Sequence, residues 1–196
     1  MDLKTRATNI LTKPAQEWPV VAAESTTRRD LITSYAAPLS AIPAICAFIG
    51  MSIVGISVPF GGTIRASFIS GISTAVVSFV LGLVGAYVSA IIIEKLAPTF
   101  NSRGNTTQAL KLVVFASTPV WIAGVLQIIP LLGVLVLLAV LYAVYLFYLG
   151  LPPVMHTPAD KVIPYMVVAA IVIIVINFCF GFIATAVGGV SGYRGF

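Results

Sequence analysis

The sequence predicts an all-α integral membrane protein: a five-transmembrane-helix bundle with a short N-terminal interfacial helix. Three observations carry that prediction. Hydrophobic residues make up 59% of the chain and charged residues only 9%, whereas soluble domains carry about 25% charged residues. The remaining charges fence off uncharged runs from Asp30 to Arg65, Arg65 to Glu94, Lys111 to Asp160 and Lys161 to Arg194. A spanning helix needs roughly 20 apolar residues, and a charge at mid-membrane costs about 2.5–3.5 kcal/mol on insertion scales. Each run therefore marks chain inside the bilayer, and the third holds two crossings. Finally, only helices or closed barrels satisfy their backbone in lipid, and these runs lack the alternation of barrel strands.

Residues 1–30 form a polar cytoplasmic or interfacial segment. Leu3, Ala7, Ile10 and Leu11 recur at helical spacing while Lys4, Arg6 and Lys13 take other faces. That pattern suits a helix on the membrane surface with Trp18 as interfacial anchor; a solvated tail is the alternative. Pro14 and Pro19 break the segment, Arg28 and Arg29 mark the membrane boundary, and Thr27 with Asp30 caps the first span.

The membrane domain is read as 31–187, with spans at about 31–58, 66–93, 109–128, 131–149 and 164–187. Pro38 and Pro43 in span one remove backbone donors and imply either a packed kink or a hinge. Span two carries a row of small residues at four-residue spacing: Ala66, Ser70, Thr74, Ser78, Gly82, Ala86 and Ala90. Such a row winds slowly round a helix as a ridge and lets backbones approach closely in lipid, so this helix is expected to be the central packing element. A pore-lining role for its hydroxyls is the other reading.

Glu94-Lys95 closes span two, and the polar loop 97–108 follows. Spans three and four make a hairpin around Pro130. Tyr142, Tyr145 and Tyr148 suggest an aromatic belt, and Pro152, Pro153 and Pro158 are expected to forbid helix beyond span four. Span five ends in a glycine-rich tail, 188–196. Lys and Arg on alternate sides count nine against two, which predicts a cytoplasmic N-terminus and an outside C-terminus.

The runs Ala116-Ser-Thr-Pro-Val-Trp121, Ile129-Pro-Leu-Leu-Gly133, Tyr142-Ala-Val-Tyr145 through Gly150, and Thr157-Pro-Ala-Asp-Lys161 resemble the Yip family, five-span proteins named for interaction with Ypt/Rab GTPases. Ile10-Leu-Thr-Lys-Pro14 with Trp18 resembles the first segment of its bacterial members. The resemblance covers about residues 9–187. It implies a five-helix bundle in the bacterial cytoplasmic (inner) membrane. Residues 1–30 lack the acidic and proline-rich motifs of the eukaryotic trafficking members, so a Rab-type GTPase is not the expected partner. Expected partners are the lipid bilayer, other membrane proteins or a homo-oligomer.

Catalytic chemistry finds little to stand on. Gly189-Val-Ser-Gly192 matches the GxSG string of rhomboid proteases, but His156 is the one histidine and falls on the other side of a bilayer core roughly 30 Å thick, out of reach as a base. His/Glu clusters for a metal, phosphate-cradling glycine loops and metal-ligand cysteine spacing are absent. Cys46 and Cys179 read as small hydrophobes. The net charge of +5 comes without a basic stripe carrying interleaved aromatics, which argues against nucleic acid. Neither an enzyme nor a cofactor is expected. The polar residues left as functional candidates are Glu94, Lys95, Lys161 and Asn177. Glu94 reads as an interfacial anchor or an ion site, and Asn177 as packing glue or pathway lining. The expectation is a scaffold or interaction protein; a small transporter or channel with Glu94 or Asn177 near its pathway is the alternative.

Overall fold

The structure, a computed structural model, describes residues 2–58 and 62–189. Two short helices, α1 (Leu3–Thr12) and α2 (Pro14–Ala23), precede five helices long and apolar enough to cross a membrane. These are α3 (Arg28–Val54), α4 (Phe68–Phe100), α5 (Thr106–Ile128), α6 (Pro130–Met155) and α7 (Ala159–Ile183, whose helix runs on to Gly189). The bundle is an all-α membrane fold. Ser191 and Arg194 lie outside the described residues, as does most of the glycine-rich tail.

Side-chain caps start the helices where the sequence supplies them. Thr27 Oγ1 accepts the Asp30 N–H at 3.1 Å, Ser67 that of Ser70 at 3.2 Å, and Asn105 that of Gln108 at 3.0 Å, each relieving one orphan donor of a first turn. Pro14 separates α1 from α2 by opening the second helix, where its missing N–H costs nothing, whereas Pro19 lies inside α2.

Span one absorbs its prolines by changing pitch. Wide π-turns at Leu31–Ala36 and Ile49–Val54 flank an α segment, Ala37–Phe48, that takes Pro38 in its first turn. Pro43 sits mid-helix against α5: a Cβ on Gly124 would lie 2.5 Å from the Pro43 Cβ. The kink is thus filled by a neighbour. Span one ends at Val54 rather than near Val58. Gly55, at φ 80°, turns the chain into a β-ribbon of β1 (Ile56–Val58) and β2 (Gly62–Ile64), with Ile56 opposite Ile64.

Two further expectations are corrected. Helix α6 continues through Pro152 and Pro153 to Met155, because proline's fixed φ is already helical and so few turns remain that only the last bonds are lost. His156 then ends it in the left-handed region at φ 49°. The central helix is α5, not α4: α5 buries 61% of its most apolar stretch and α4 22%. Residues 109–116 are buried without a gap. The continuous core sits at the end of the bundle that carries α1 and α2, where Ile10, Trp18, Val21, Leu112, Leu146, Leu151 and Met155 meet. Toward the opposite end α6 and α7 present exposed Leu137, Leu138, Phe178 and Phe182, as lipid-facing helices do.

Candidate functional site

The N-terminal helices are built into the core rather than laid beside it. Ile10 and Trp18 are 0% and 1% exposed. Trp18, expected as an interfacial anchor, instead packs edge-on to Phe115, ring centres 6.5 Å apart, and over Gly150, where a Cβ would meet its ring at 2.8 Å. Its partners lie on helices 97 and more residues away, which local periodicity cannot reveal.

Around that tryptophan four charges are buried or half-buried together. Arg6, 4% exposed, pairs through Nη1 with Glu17 Oε1 at 2.6 Å and through Nη2 with Glu24, and its guanidinium stands 5.7 Å from the Phe115 ring centre. Asn9 Nδ2 donates to the other Glu17 oxygen at 3.1 Å. Lys111, 3% exposed, donates from Nζ to the carbonyls of Val21 at 2.8 Å and Glu24 at 2.5 Å. A cation thus satisfies the last carbonyls of α2, where a helix C-terminus is electronegative. Two acids and two bases cancel, so the knot is neutral and can lie inside protein. Sequence reasoning missed it. The signal available was Lys111 itself, one turn inside an apolar helix, where a buried cation demands a named partner.

The loops at this end are tied to one another and to the neighbouring helix ends. Ser102 Oγ donates to Thr157 Oγ1 at 2.9 Å, the Arg103 N–H to the Met155 carbonyl at 2.8 Å, and Tyr165 Oη to the Ile93 carbonyl at 2.5 Å. Tyr142 Oη reaches the Leu11 carbonyl at 2.6 Å, so this tyrosine holds the N-terminal helix. Arg28 reaches Thr107 Oγ1 at 3.3 Å and the Tyr87 hydroxyl at 3.4 Å, while Arg29 is exposed.

The other predicted residues scatter. Glu94 accepts from Thr106 Oγ1 at 2.5 Å, across the loop that joins α4 to α5, while Lys95 is exposed. Lys161 lies 3.6 Å from its neighbour Asp160 in an open pair. Asn177 is exposed on α7 and donates to the Ile173 carbonyl of its own helix at 2.8 Å, so in this chain it bridges to no other helix among the described residues.

The small-residue row of α4 divides. Ala86 and Ala90 pack on the core, and Ser70 is buried. Between them Ser78 and Gly82 are exposed, and a Cβ on Gly82 would meet nothing within 4 Å. The glycine of α4 that faces α7 is Gly85, whose Cβ would stand 3.1 Å from the Phe180 ring. Instead of closing on a neighbour, the middle of the row, with Ser70, Thr74 and Ser78, lines a cavity of about 630 Å³. Its other walls are Phe48 and Pro43 of α3, Trp121 and Gln127 of α5, and Arg65 after the β-ribbon. Neither Glu94 nor Asn177 lines it. Metal-ligand clusters are absent among the described residues.

Known proteins similar to this chain include two named as inner membrane proteins. The chain is 26% identical over 155 residues to the inner membrane protein YohC of Escherichia coli (strain K12), covering 78% of this chain and 80% of that protein. The YohC of Escherichia coli O6:H1 matches to the same extent. No solved structure matches the chain. The Yip1 domain family matches residues 8–185, a range that takes in the second half of α1, the whole of α2 and all five span-length helices; the chain belongs to the Yip1 domain family.

Proposed function

We propose that this protein is a non-catalytic scaffold or interaction protein of a bacterial inner membrane, with the N-terminal helices on the cytoplasmic face. The observation that carries the reading is the folded cap at that end. The buried Arg6–Glu17 pair joins α1 to α2, Lys111 joins α5 to the end of α2, and the Ser102–Thr157 bond joins the loop after α4 to the loop after α6. Lys4, Lys13, Arg28, Arg29, Lys95 and Arg103 are left exposed on it. A preorganised basic surface suits contact with anionic headgroups or an acidic partner, at about 1 kcal/mol per basic residue near the membrane surface. The name of the E. coli relative supports the inner-membrane assignment, and the lysine and arginine bias supports the orientation. Other membrane proteins, or a second copy of this chain, are the partners such a cap would take.

The transport alternative placed Glu94 or Asn177 beside a pathway. Glu94 is engaged by Thr106, Asn177 by its own helix, and the cavity is lined by other residues. The test is reconstitution of the purified chain in liposomes with flux of protons, common ions and small solutes recorded. The scaffold reading expects flux no greater than in empty vesicles. Reproducible flux abolished by Glu94→Gln would reverse the choice.

A further inference from the structure

The cavity lies in the half of the bundle away from the N-terminal helices. It is bounded by the second half of α3, the first half of α4 and the close of α5. Toward the N-terminal end the bundle is packed: Tyr35, Leu39 and Phe115 are buried, with Tyr35 hydrogen-bonded to Thr118 at 2.9 Å. Its volume, about 630 Å³, falls among those of small-molecule sites, which combine apolar walls with a few placed polar groups. Phe48, Phe79 and Trp121 supply the walls, and Ser70, Thr74 and Ser78 supply hydroxyls along one side.

Arg65 is the one charged residue among the described lining residues. It is an exposed residue. Its Nε donates to the Val54 carbonyl at 3.4 Å, and the Ala66 N–H donates to the Met51 carbonyl at 3.0 Å. The arginine stem passes across Gly55, where a Cβ would lie 2.6 Å from its Cγ. Only a residue without a side chain permits that crossing. Among the described residues the guanidinium has no acidic partner, and its planar fork matches the oxygens of a phosphate.

We infer that this cavity binds an anionic membrane phospholipid, with an acyl chain along the hydroxyl-bearing row of α4 and the phosphate at Arg65. The lining favours a lipid over free phosphate, because most of it is apolar and would give a bare ion nothing but desolvation. A second, shallower hollow on the same seam shares Ala44, Ala75 and Phe79 with the cavity and is bordered by exposed Ile45 and Val76. That hollow gives an acyl chain an apolar way in from the bilayer. The site is at the opposite end of the bundle from the basic cap, so it stands or falls independently of the proposed scaffold role.

The experiment is native mass spectrometry of the delipidated full chain in detergent, titrated with phosphatidylglycerol, with phosphatidylcholine or with inorganic phosphate. The wild type should retain phosphatidylglycerol in preference to phosphatidylcholine. Arg65→Gln should reduce phosphatidylglycerol retention about fivefold, the factor one basic residue contributes beside an anionic surface, and leave phosphatidylcholine unchanged. Ser78→Phe, at an exposed position in the cavity lining, should lower retention of both lipids while leaving helicity and elution volume as in the wild type. Lys13→Gln at the opposite end should change neither. Undiminished phosphatidylglycerol retention in Arg65→Gln would overturn the headgroup assignment, and undiminished retention in Ser78→Phe would overturn the cavity. Binding of inorganic phosphate with the same dependence on Arg65, and no preference for lipid, would overturn the amphiphile.

Discussion

Lys111 Nζ donates to the Val21 carbonyl at 2.8 Å, joining the central membrane helix to the end of α2 across 90 residues of sequence. A cation in that position does the work of a C-cap for a helix that is not its own. The N-terminal segment is therefore expected to depend for its docking on the interior of the bundle. Lys111→Met keeps the packing volume of the stem and leaves the buried Val21 carbonyl and the part-buried Glu24 carbonyl without this donor, at about 1–3 kcal/mol. Limited proteolysis in mild detergent should cut Lys111→Met near residues 13–27 well before the wild type. Identical cleavage rates would mean the cap holds nothing.

The Arg6–Glu17 pair makes a second prediction. Both side chains are at most 8% exposed, so removing one partner strands a buried charge, which costs about 3–5 kcal/mol. Arg6→Met should melt well below the wild type, and Arg6→Met with Glu17→Gln should recover part of the loss. Additive losses in the double variant would show that the two residues act separately.

Glycines separate packing from open space. A Cβ on Gly50 would lie 2.0 Å from the Gln127 carbonyl oxygen, and on Gly124 2.5 Å from Pro43, while on Gly82 it would meet nothing within 4 Å. Overpacking costs about 1–3 kcal/mol, whereas Gly→Ala at a free helical position gains about 0.5–1 kcal/mol in backbone entropy. Melting temperatures in detergent should therefore fall for Gly50→Ala and Gly124→Ala and hold or rise for Gly82→Ala. A fall at Gly82 would mean that its face meets a partner, such as a second copy of the chain.

Orientation is the fourth prediction. The nine-to-two bias of Lys and Arg should put the two termini on opposite sides, with the N-terminus in the cytoplasm. Reporter fusions at each end should give opposite signals. The bias is smaller in effect than in number, since Arg6 is paired with two acids and Lys111 with backbone carbonyls. Arg29→Gln should consequently weaken orientation more than Arg6→Gln does. Equal effects would mean that topology is set before the knot forms.

The existence and number of the five spans were legible in the sequence, because the cost of placing a charge in lipid belongs to each residue alone. Thr27 likewise advertised its cap, since the hydrogen bond it makes reaches only three residues along the chain. The small row of α4 was legible as a row, but what stands opposite it was not: Ala90 meets the core, whereas Ser78 and Gly82 are exposed and line the cavity. A helix's own residues state how closely a neighbour may come. Whether one comes depends on how far the helices diverge at that level.

Tertiary structure alone decided the rest. In local sequence Arg6 and Trp18 look like residues of a polar segment on the membrane surface, and Lys111 like a cation near the end of an apolar run. Their burial comes from Glu17, Phe115 and the carbonyl of Val21, contributed by other helices. The cavity likewise belongs to four segments, none of which is unusual alone, and its charge arrives on Arg65 only because Gly55 lets the stem cross. Partition into lipid is a sum over single residues and can be read in order along the chain. The burial of a charge and the shape of a void are properties of groups that meet only after the helices have packed.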